Sequence, residues 1–246
     1  MTSEGDARKW SFSYPSYIGR LNFLSGSTRP DIAYATHRCA RFSKDPRQCH
    51  ENALKKIVRY LKKTADKGMI ITPDRSKGLE CYVDASFCEG WSPEATDDPI
   101  NCYSRTGYVI RLFGCPIIWV SKLQTKITLS TTESEYVALS QAMRNVIPLL
   151  EVLNHIQKAI EVEIEKPVVR CTVFEDNMGA LELAIAPKMR PRTRHIAVKH
   201  HHFWEHVERG SIKVVYVDTK GQLADMFTKA LPFALLQPLR ESVLGW

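Results

Sequence analysis

The stretch 78–86, GLECYVDAS, puts a carboxylate where a strand is expected to be buried. Tyr82 and Val83 are strong strand formers, and the small Ala85 and Ser86 let another chain or a ligand come close. A carboxylate in the middle of such a strand costs several kcal/mol unless something cationic meets it. Three later acids recur in comparable settings: Glu135 in TESEYVAL, Asp176 in VFEDNMGAL and Asp225 in QLADMFTKAL. The four read as ligands of one metal site, with Asp84 the first.

The remaining bounds come from composition and charge. The 246 residues are 44% hydrophobic and 25% charged, the balance of a soluble globular chain of one large domain or one domain with a smaller appendage. No apolar run approaches the roughly 20 residues of a membrane span, and MTSEGDARKW lacks the apolar core of a signal peptide. The seven cysteines never form a CxxC pair. They predict a reducing intracellular compartment, the cytoplasm, with no membrane partner. Residues 1–77 carry 16 Lys and Arg against 7 acids, whereas residues 78–246 carry 18 against 20. A basic segment joined to an acid-centred one suits a polyanionic substrate drawn to a metal site.

Residues 1–15 read as a flexible lead-in. A short helix is expected from Tyr17 to Leu24. TRPD at 28–31 then places a cap and a first-turn proline before a helix burying Ile32, Ala35, Cys39 and Phe42. A third helix, about 48–66, has Leu54, Ile57, Val58 and Leu61 at helical spacing. Lys55, Lys56, Arg59, Lys62 and Lys63 lie off that stripe, as a solvated face or a nucleic-acid contact. Three strands follow. The first carries Asp84, and a long loop over 88–104 leads to a hairpin of 105–113 and 115–120 whose core is Tyr108, Val109, Ile117 and Trp119. After it come a helix from Ser130 past Pro148, a strand 168–175 ending at Asp176, and a helix from Asn177 to Ala186. A basic connector KMRPRTR leads to a helix 195–209, a strand 211–217, and a last helix from about Gln222 containing Asp225. The order βββαβαβα behind a helical prefix predicts an α/β fold, a mixed five-stranded sheet with helices packed on it.

The second acid needs arbitration. A capping box fits Ser130 to Glu133 or Thr132 to Glu135, so capping leaves both glutamates open. Glu135 shares its helical side with Ala138, Leu139, Ala142 and Val146, a core-facing set, and Glu133 shares its side, the more exposed one, with Val137, Ser140 and Arg144. Glu135 is therefore the inward acid.

Several motifs in order carry a family resemblance. YIGRLNFL, TRPDIAYA, RFSKDP and ALKKIVRYLKKTADKGMII resemble the end of the reverse transcriptase in copia-type LTR retrotransposon polyproteins. YVDAS, SRTGYV, WVSKLQTKITLSTTESEYVALS, EDNMGAL, RTRHIAVKHHHF and LADMFTKALP resemble the ribonuclease H domain that follows it. The resemblance divides the chain into the lead-in, a helical reverse-transcriptase remnant at 16–77 and a ribonuclease H-like domain at 78–246. It implies cleavage of the RNA strand of an RNA–DNA hybrid during reverse transcription, with the family's four metal-binding carboxylates on Asp84, Glu135, Asp176 and Asp225. The reverse transcriptase and integrase parts of the same polyprotein are the implied protein partners, in the cytoplasm or in virus-like particles. The polymerase palm with its paired aspartates is missing, so polymerisation is not expected. Many ribonucleases H carry a mobile histidine before the fourth acid, but DTKGQLA at 218–224 has none.

Hard oxygen ligands favour two Mg²⁺ or Mn²⁺ ions over zinc. With ions about 4 Å apart, Asp84 is expected to bridge them, Glu135 and Asp176 to hold one, and Asp225 the other. Asn177 is the expected minor-groove contact to the hybrid, and Arg105, Arg190, Arg192 and Arg194, with Lys55 and Lys62, the phosphate contacts. His202 and His206 lie one helical turn apart but have no third zinc ligand, and read as packing or surface histidines. The alternative is a catalytically inactive, truncated remnant that only binds nucleic acid or packs on a polymerase. A DDE-type transposase fits less well, because Glu135 lies between the first two aspartates and no late glutamate replaces Asp225.

Overall fold

The computed structural model describes residue 6 and residues 12–90, 99–159, 170–185 and 201–246. Three helices lead: α1 (Tyr14–Ser27), α2 (Ala33–Ala40) and α3 (Gln48–Lys63). The sheet is built from β1 (Leu79–Ser86), β2 (Arg105–Leu112), β3 (Cys115–Leu123), β4 (Cys171–Glu175) and β5 (Ile212–Tyr216). Helices α4 (Thr131–Ala159), α5 (Met178–Ile185), α6 (Trp204–Glu208), α7 (Asp225–Thr228) and α8 (Phe233–Leu244) complete it.

The strand order is β3-β2-β1-β4-β5. β1, β2 and β3 pair antiparallel, and β1, β4 and β5 parallel. Hairpins join the first set, and the helix-bearing connections after β3 and β4 supply the crossovers that parallel neighbours need. This is the five-stranded mixed sheet expected from the element order, with helices packed on it. Strand alternation divides β1 between two layers. Cys81, Val83 and Ala85 face α4 through Tyr136, Leu139, Ala142, Met143 and Val146. Tyr82 faces the other layer, where Val109 and Trp119 meet Leu223, Met226 and Phe227 around α7, and Leu239 and Val243 of α8. Asp84 shares the parity of Tyr82, which brings it under α7.

Several expectations are corrected. Ile117 is 40% exposed rather than core. The β2–β3 register runs from Ile110↔Ile118 to Arg111↔Pro116, so Ile117 is the extra residue of a bulge and loses its inward direction. Val58 is exposed while Leu54 and Ile57 are buried, so the α3 stripe is narrower than its apolar spacing. The face of α4 shared by Glu133 closes at Val137 and Ser140 and opens at Arg144. The helix expected over 195–209 is α-helical among the described residues only at Trp204–Glu208. The helix expected from Gln222 is a single turn, ending where Lys229 turns extended; a separate helix, α8, begins behind Pro232 and ends on the left-handed Gly245. Among the described residues no helix is long and apolar enough to cross a membrane.

The leading helices have their own core of Tyr14, Ile18, Leu21, Ile32, Cys39, Leu54 and Ile57. They also grip the sheet. Trp119 Nε1 of β3 donates to the Ser25 carbonyl at 2.6 Å; within the leading segment, Tyr60 of α3 donates to Asp31, which Arg29 brackets at 2.9 and 2.7 Å. At the junction Glu89 accepts from Arg105 Nε at 2.7 Å and pairs with Arg38 of α2 at 3.1 Å, while Arg105 Nη1 lies 3.1 Å from His37 Nδ1. Burial would raise the Glu89 pKa, but Arg105 and Arg38 outweigh it and hold the carboxyl below its ordinary range. Burial, and then Arg105, push His37 down to about 4, so the imidazole is neutral there. Glu89→Gln leaves two enclosed guanidinium groups without their anion. The expected cost is about 3 kcal/mol of unfolding free energy in denaturant melts, and a change within error would show the junction to be dispensable.

Candidate metal centre

Strand β1 ends beside the first turns of α4, the end of β4 and the turn α7, so four elements deliver their acids to one place. Asp84 is 1% exposed and Glu135 7%. Donor oxygens of Asp84, Glu135 and Asp176 all lie within 4.8 Å of one another. The capping ambiguity is resolved by geometry. Glu133 N donates to Ser130 Oγ at 3.1 Å and Leu129 N donates to Glu133 Oε2 at 2.7 Å, so Glu133 serves the helix start and Glu135 faces the acids.

Asp225 is tied to the group through a lysine. Lys229 Nζ donates to Asp225 Oδ1 at 2.5 Å and to Asp84 Oδ1 at 3.3 Å, while Thr228 Oγ1 donates to Asp84 Oδ2. Two devices hold α7 this close. Gln222 is buried and donates to the Val83 carbonyl at 2.8 Å, clamping the preceding turn to β1. Gly107 sits opposite Asp84 in the sheet, and a Cβ there would come within 2.5 Å of the Thr228 methyl. The glycine of SRTGYV thus makes room for α7.

A fifth acid joins them, one that the sequence reading leaves out. Glu175 is 0% exposed, and its Oε1 accepts from Asn177 N at 3.1 Å. Oε2 of Glu175 and Oε2 of Glu135 are buried without a hydrogen-bond partner. Burial, reinforced by Asp84, Glu175 and Asp176, pushes Glu135 well above the ordinary carboxylate range. Burial, then Asp176 and Asp84, does the same to Glu175 despite the Asn177 amide. Asp84 is raised by burial and by Asp225, with Lys229 opposing; Asp176 is raised by burial and Asp84. Asp225 is raised by burial, again against Lys229. For Lys229 burial is outweighed by Asp84 and Asp225, and its pKa rises.

Orphaned buried oxygens in a set of hard donors fit Mg²⁺ or Mn²⁺. Both additional residues, Glu175 and Lys229, have a signal in the sequence. Glu175 shares the period-2 face of Cys171 and Val173, and Lys229 stands four residues after Asp225 on one helical turn.

The other expected contacts divide. Asn177 lies beside Asp176, and its Oδ1 caps α5 by accepting from Ala180 N at 3.0 Å. Arg105 is corrected: its side chain is 0% exposed and committed to Glu89, His37 and Ser121, because the α2 junction closes over it. It presents nothing to a phosphate. Lys62 is exposed and Lys55 half-buried on α3. Arg190, Arg192 and Arg194 lie outside the described residues, as do His195 and His200. His201 Nδ1 pairs with Tyr136 OH at 2.6 Å and His206 Nδ1 with Ser211 Oγ at 3.3 Å, which are packing roles.

No family model matches the chain. It is 34% identical over 230 residues to the retrovirus-related Pol polyprotein from transposon RE2 of Arabidopsis thaliana, covering 94% of this chain and 15% of that one. The corresponding polyprotein from transposon TNT 1-94 of Nicotiana tabacum is also 34% identical, over 94% of this chain and 16% of its own length. The secreted RxLR effector protein 161 of Plasmopara viticola is 36% identical over 134 residues, 54% of this chain and 89% of that protein. Among solved structures, LC11-RNase H1, isolated from compost, superposes on 61% of this chain and 91% of its own at 17% identity and a TM-score of 0.38, too low to add to the topology above. Because 94% of the chain aligns with them, it belongs to the retrovirus-related Pol polyproteins of copia-type transposons, as a segment spanning 15% to 16% of their length.

Proposed function

We propose that this segment is a metal-dependent endonuclease that cleaves the RNA strand of RNA–DNA hybrids. The observation that carries the reading is the convergence of Asp84, Glu135 and Asp176 donor oxygens within 4.8 Å, with Asp225 tied to Asp84 through Lys229. Bound Mg²⁺ or Mn²⁺ would supply an activated water and neutralise charge on the scissile phosphate. Asp84, Glu135, Asp176 and Asp225 are the residues that would hold the metal. Gln222 and Thr228 keep Asp84 and α7 in register, and Glu175 packs behind the donors. Asn177, next to Asp176, is the candidate contact to the hybrid's minor groove. Lys56, Arg59, Tyr60, Lys62 and Lys63 line one surface depression, a candidate backbone contact. All seven cysteines are free thiols, in keeping with a reducing compartment such as the cytoplasm. The remaining parts of the polyprotein are the candidate protein partners.

The second reading, a catalytically silent nucleic-acid-binding module, draws support from Lys229, whose ammonium already pairs with Asp84 and Asp225.

A labelled hybrid separates the two. Cleavage of its RNA strand is expected with Mg²⁺ or Mn²⁺ and not in chelator, with duplex DNA spared. Asp84→Asn is expected to reduce the rate by more than about 100-fold, the scale of losing a principal electrostatic stabiliser. Hybrid binding without metal-dependent cleavage would leave the silent module.

The acids also predict a pH dependence. Glu135 and Glu175 bind protons more tightly folded than unfolded, so between the ordinary carboxylate pKa and their raised values the native state holds more protons. Stability in chelator should therefore fall as pH rises above the ordinary carboxylate range. Glu175→Gln should flatten that slope in melts, and a slope unchanged by the substitution would contradict the assignment.

Binding through α3 should weaken with salt. Replacing Lys55, Lys56, Lys62 and Lys63 with Gln should lower affinity and reduce the log–log salt slope by about 0.9 for each phosphate no longer neutralised. An unchanged slope would leave these lysines as solubilising charge.

A further inference from the structure

We infer that Lys229 is a tethered counter-cation that competes with metal for Asp84 and Asp225, so that an ion enters that side of the centre only when the lysine withdraws. The inference rests on reading the acids as a metal centre, and goes beyond it by assigning a role to a residue outside the donor set.

Lys229 lies one helical turn after Asp225, and its Nζ spans Asp225 Oδ1 at 2.5 Å and Asp84 Oδ1 at 3.3 Å. The other oxygen of Asp84, Oδ2, is closed by the Thr228 hydroxyl. Asp176 also feels the ammonium, whereas Glu135 Oε2 is buried with no hydrogen-bond partner. The Asp84, Glu135 and Asp176 donors stand within 4.8 Å of one another. The ammonium thus engages the Asp84–Asp225 pair, while Glu135 keeps free donor capacity.

The two cations exclude each other for physical reasons. A divalent ion approaches carboxylate oxygens to about 2.1 Å and needs the same lone pairs that the ammonium now occupies. Placing both within about 4 Å, in a site with little water between them, adds a strong mutual repulsion. The lysine has somewhere to go. Its side chain is 38% exposed, against 2% for Asp84 and 10% for Asp225, so it stands at the mouth of the centre. Withdrawal swings a flexible stem into solvent and leaves α7 in place, held by Gln222 and by the packing of Met226 and Phe227. With the lysine in place, its single charge offsets part of the repulsion between Asp84 and Asp225, which makes the buried pair more tolerable in the metal-free chain.

The test uses the full chain, with Mn²⁺ as the probe. In calorimetric titration Lys229→Met, which keeps the apolar stem and deletes the charge, should bind Mn²⁺ at least about tenfold more tightly than the parent. It should also melt lower in chelator and gain more Tm on Mn²⁺ addition. Lys229→Arg should retain the weaker parental binding. On the unaltered chain, acetylation of Lys229 by a brief pulse of acetic anhydride, read by mass spectrometry, should rise when Mg²⁺ is added, because the amine leaves its two acids. Unchanged or weaker Mn²⁺ binding by Lys229→Met, in a chain whose Asp84→Asn variant loses binding, would overturn the competitor role and leave the metal centre standing. Acetylation of Lys229 that stays constant or falls with Mg²⁺ would overturn it too, whatever the variant's folding. No Mn²⁺ binding by parent or by Lys229→Met would overturn both the inference and the metal reading.

Discussion

The buried carboxylate of Asp84 is the constraint that the rest of the molecule answers. It sits on the central strand of the sheet, 1% exposed, where an unpaired charge would cost several kcal/mol. Every neighbour contributes to its accommodation. Thr228 and Lys229 supply donors, Gln222 fastens the turn that carries them, and Gly107 leaves the space they fill. Remove any of these and the acid is left in a dry sheet with other acids beside it. That arrangement, buried acids under mutual repulsion, is the electrostatic feature on which the proposed metal site rests.

The leading helices matter to this site more than their separate core suggests. Loop residue Glu89, three positions beyond the end of β1, is held by Arg105 of β2 and Arg38 of α2. The helices therefore help set where the strand bearing Asp84 ends. Trp119 and Ser25 repeat the tie on β3, and the Arg29–Asp31–Tyr60 cluster repeats it near the C-terminal helix, where Arg240 Nη1 donates to Tyr60 OH at 3.4 Å. Part of the positive surplus of residues 1–77 is enclosed in these contacts, and the rest stays exposed, on α3 and at positions such as Arg20, Lys44, Lys67 and Arg75.

Much of this is legible from the residues. Strand β1, the hairpin, the inward Glu135 and the placing of Asp176 and Asp225 at the ends of elements follow from strand propensity, helical faces and turn signals. Lys229 and Glu175 carry period signals as well, but a lysine near an aspartate and a glutamate beside one are common without consequence. Arg105 misleads because a basic residue opening a strand looks the same whether it faces solvent or an enclosed glutamate. Only the approach of α2, far away in the chain, decides between them.

Periodicity along the chain indicated many of the side chains that turn inward, because each element's repeat is a local property of backbone geometry. It therefore carried the order of strands and helices and the four acids singled out as candidates. It could not determine distances between elements. That Lys229 reaches Asp84 across 145 positions, that Ile117 is expelled by a bulge, and that Arg105 is sealed beneath α2 are outcomes of packing. Those contacts depend on how whole layers close on one another, and burial, the quantity that turns an ordinary lysine or arginine into a structural or competing charge, exists only once they have closed.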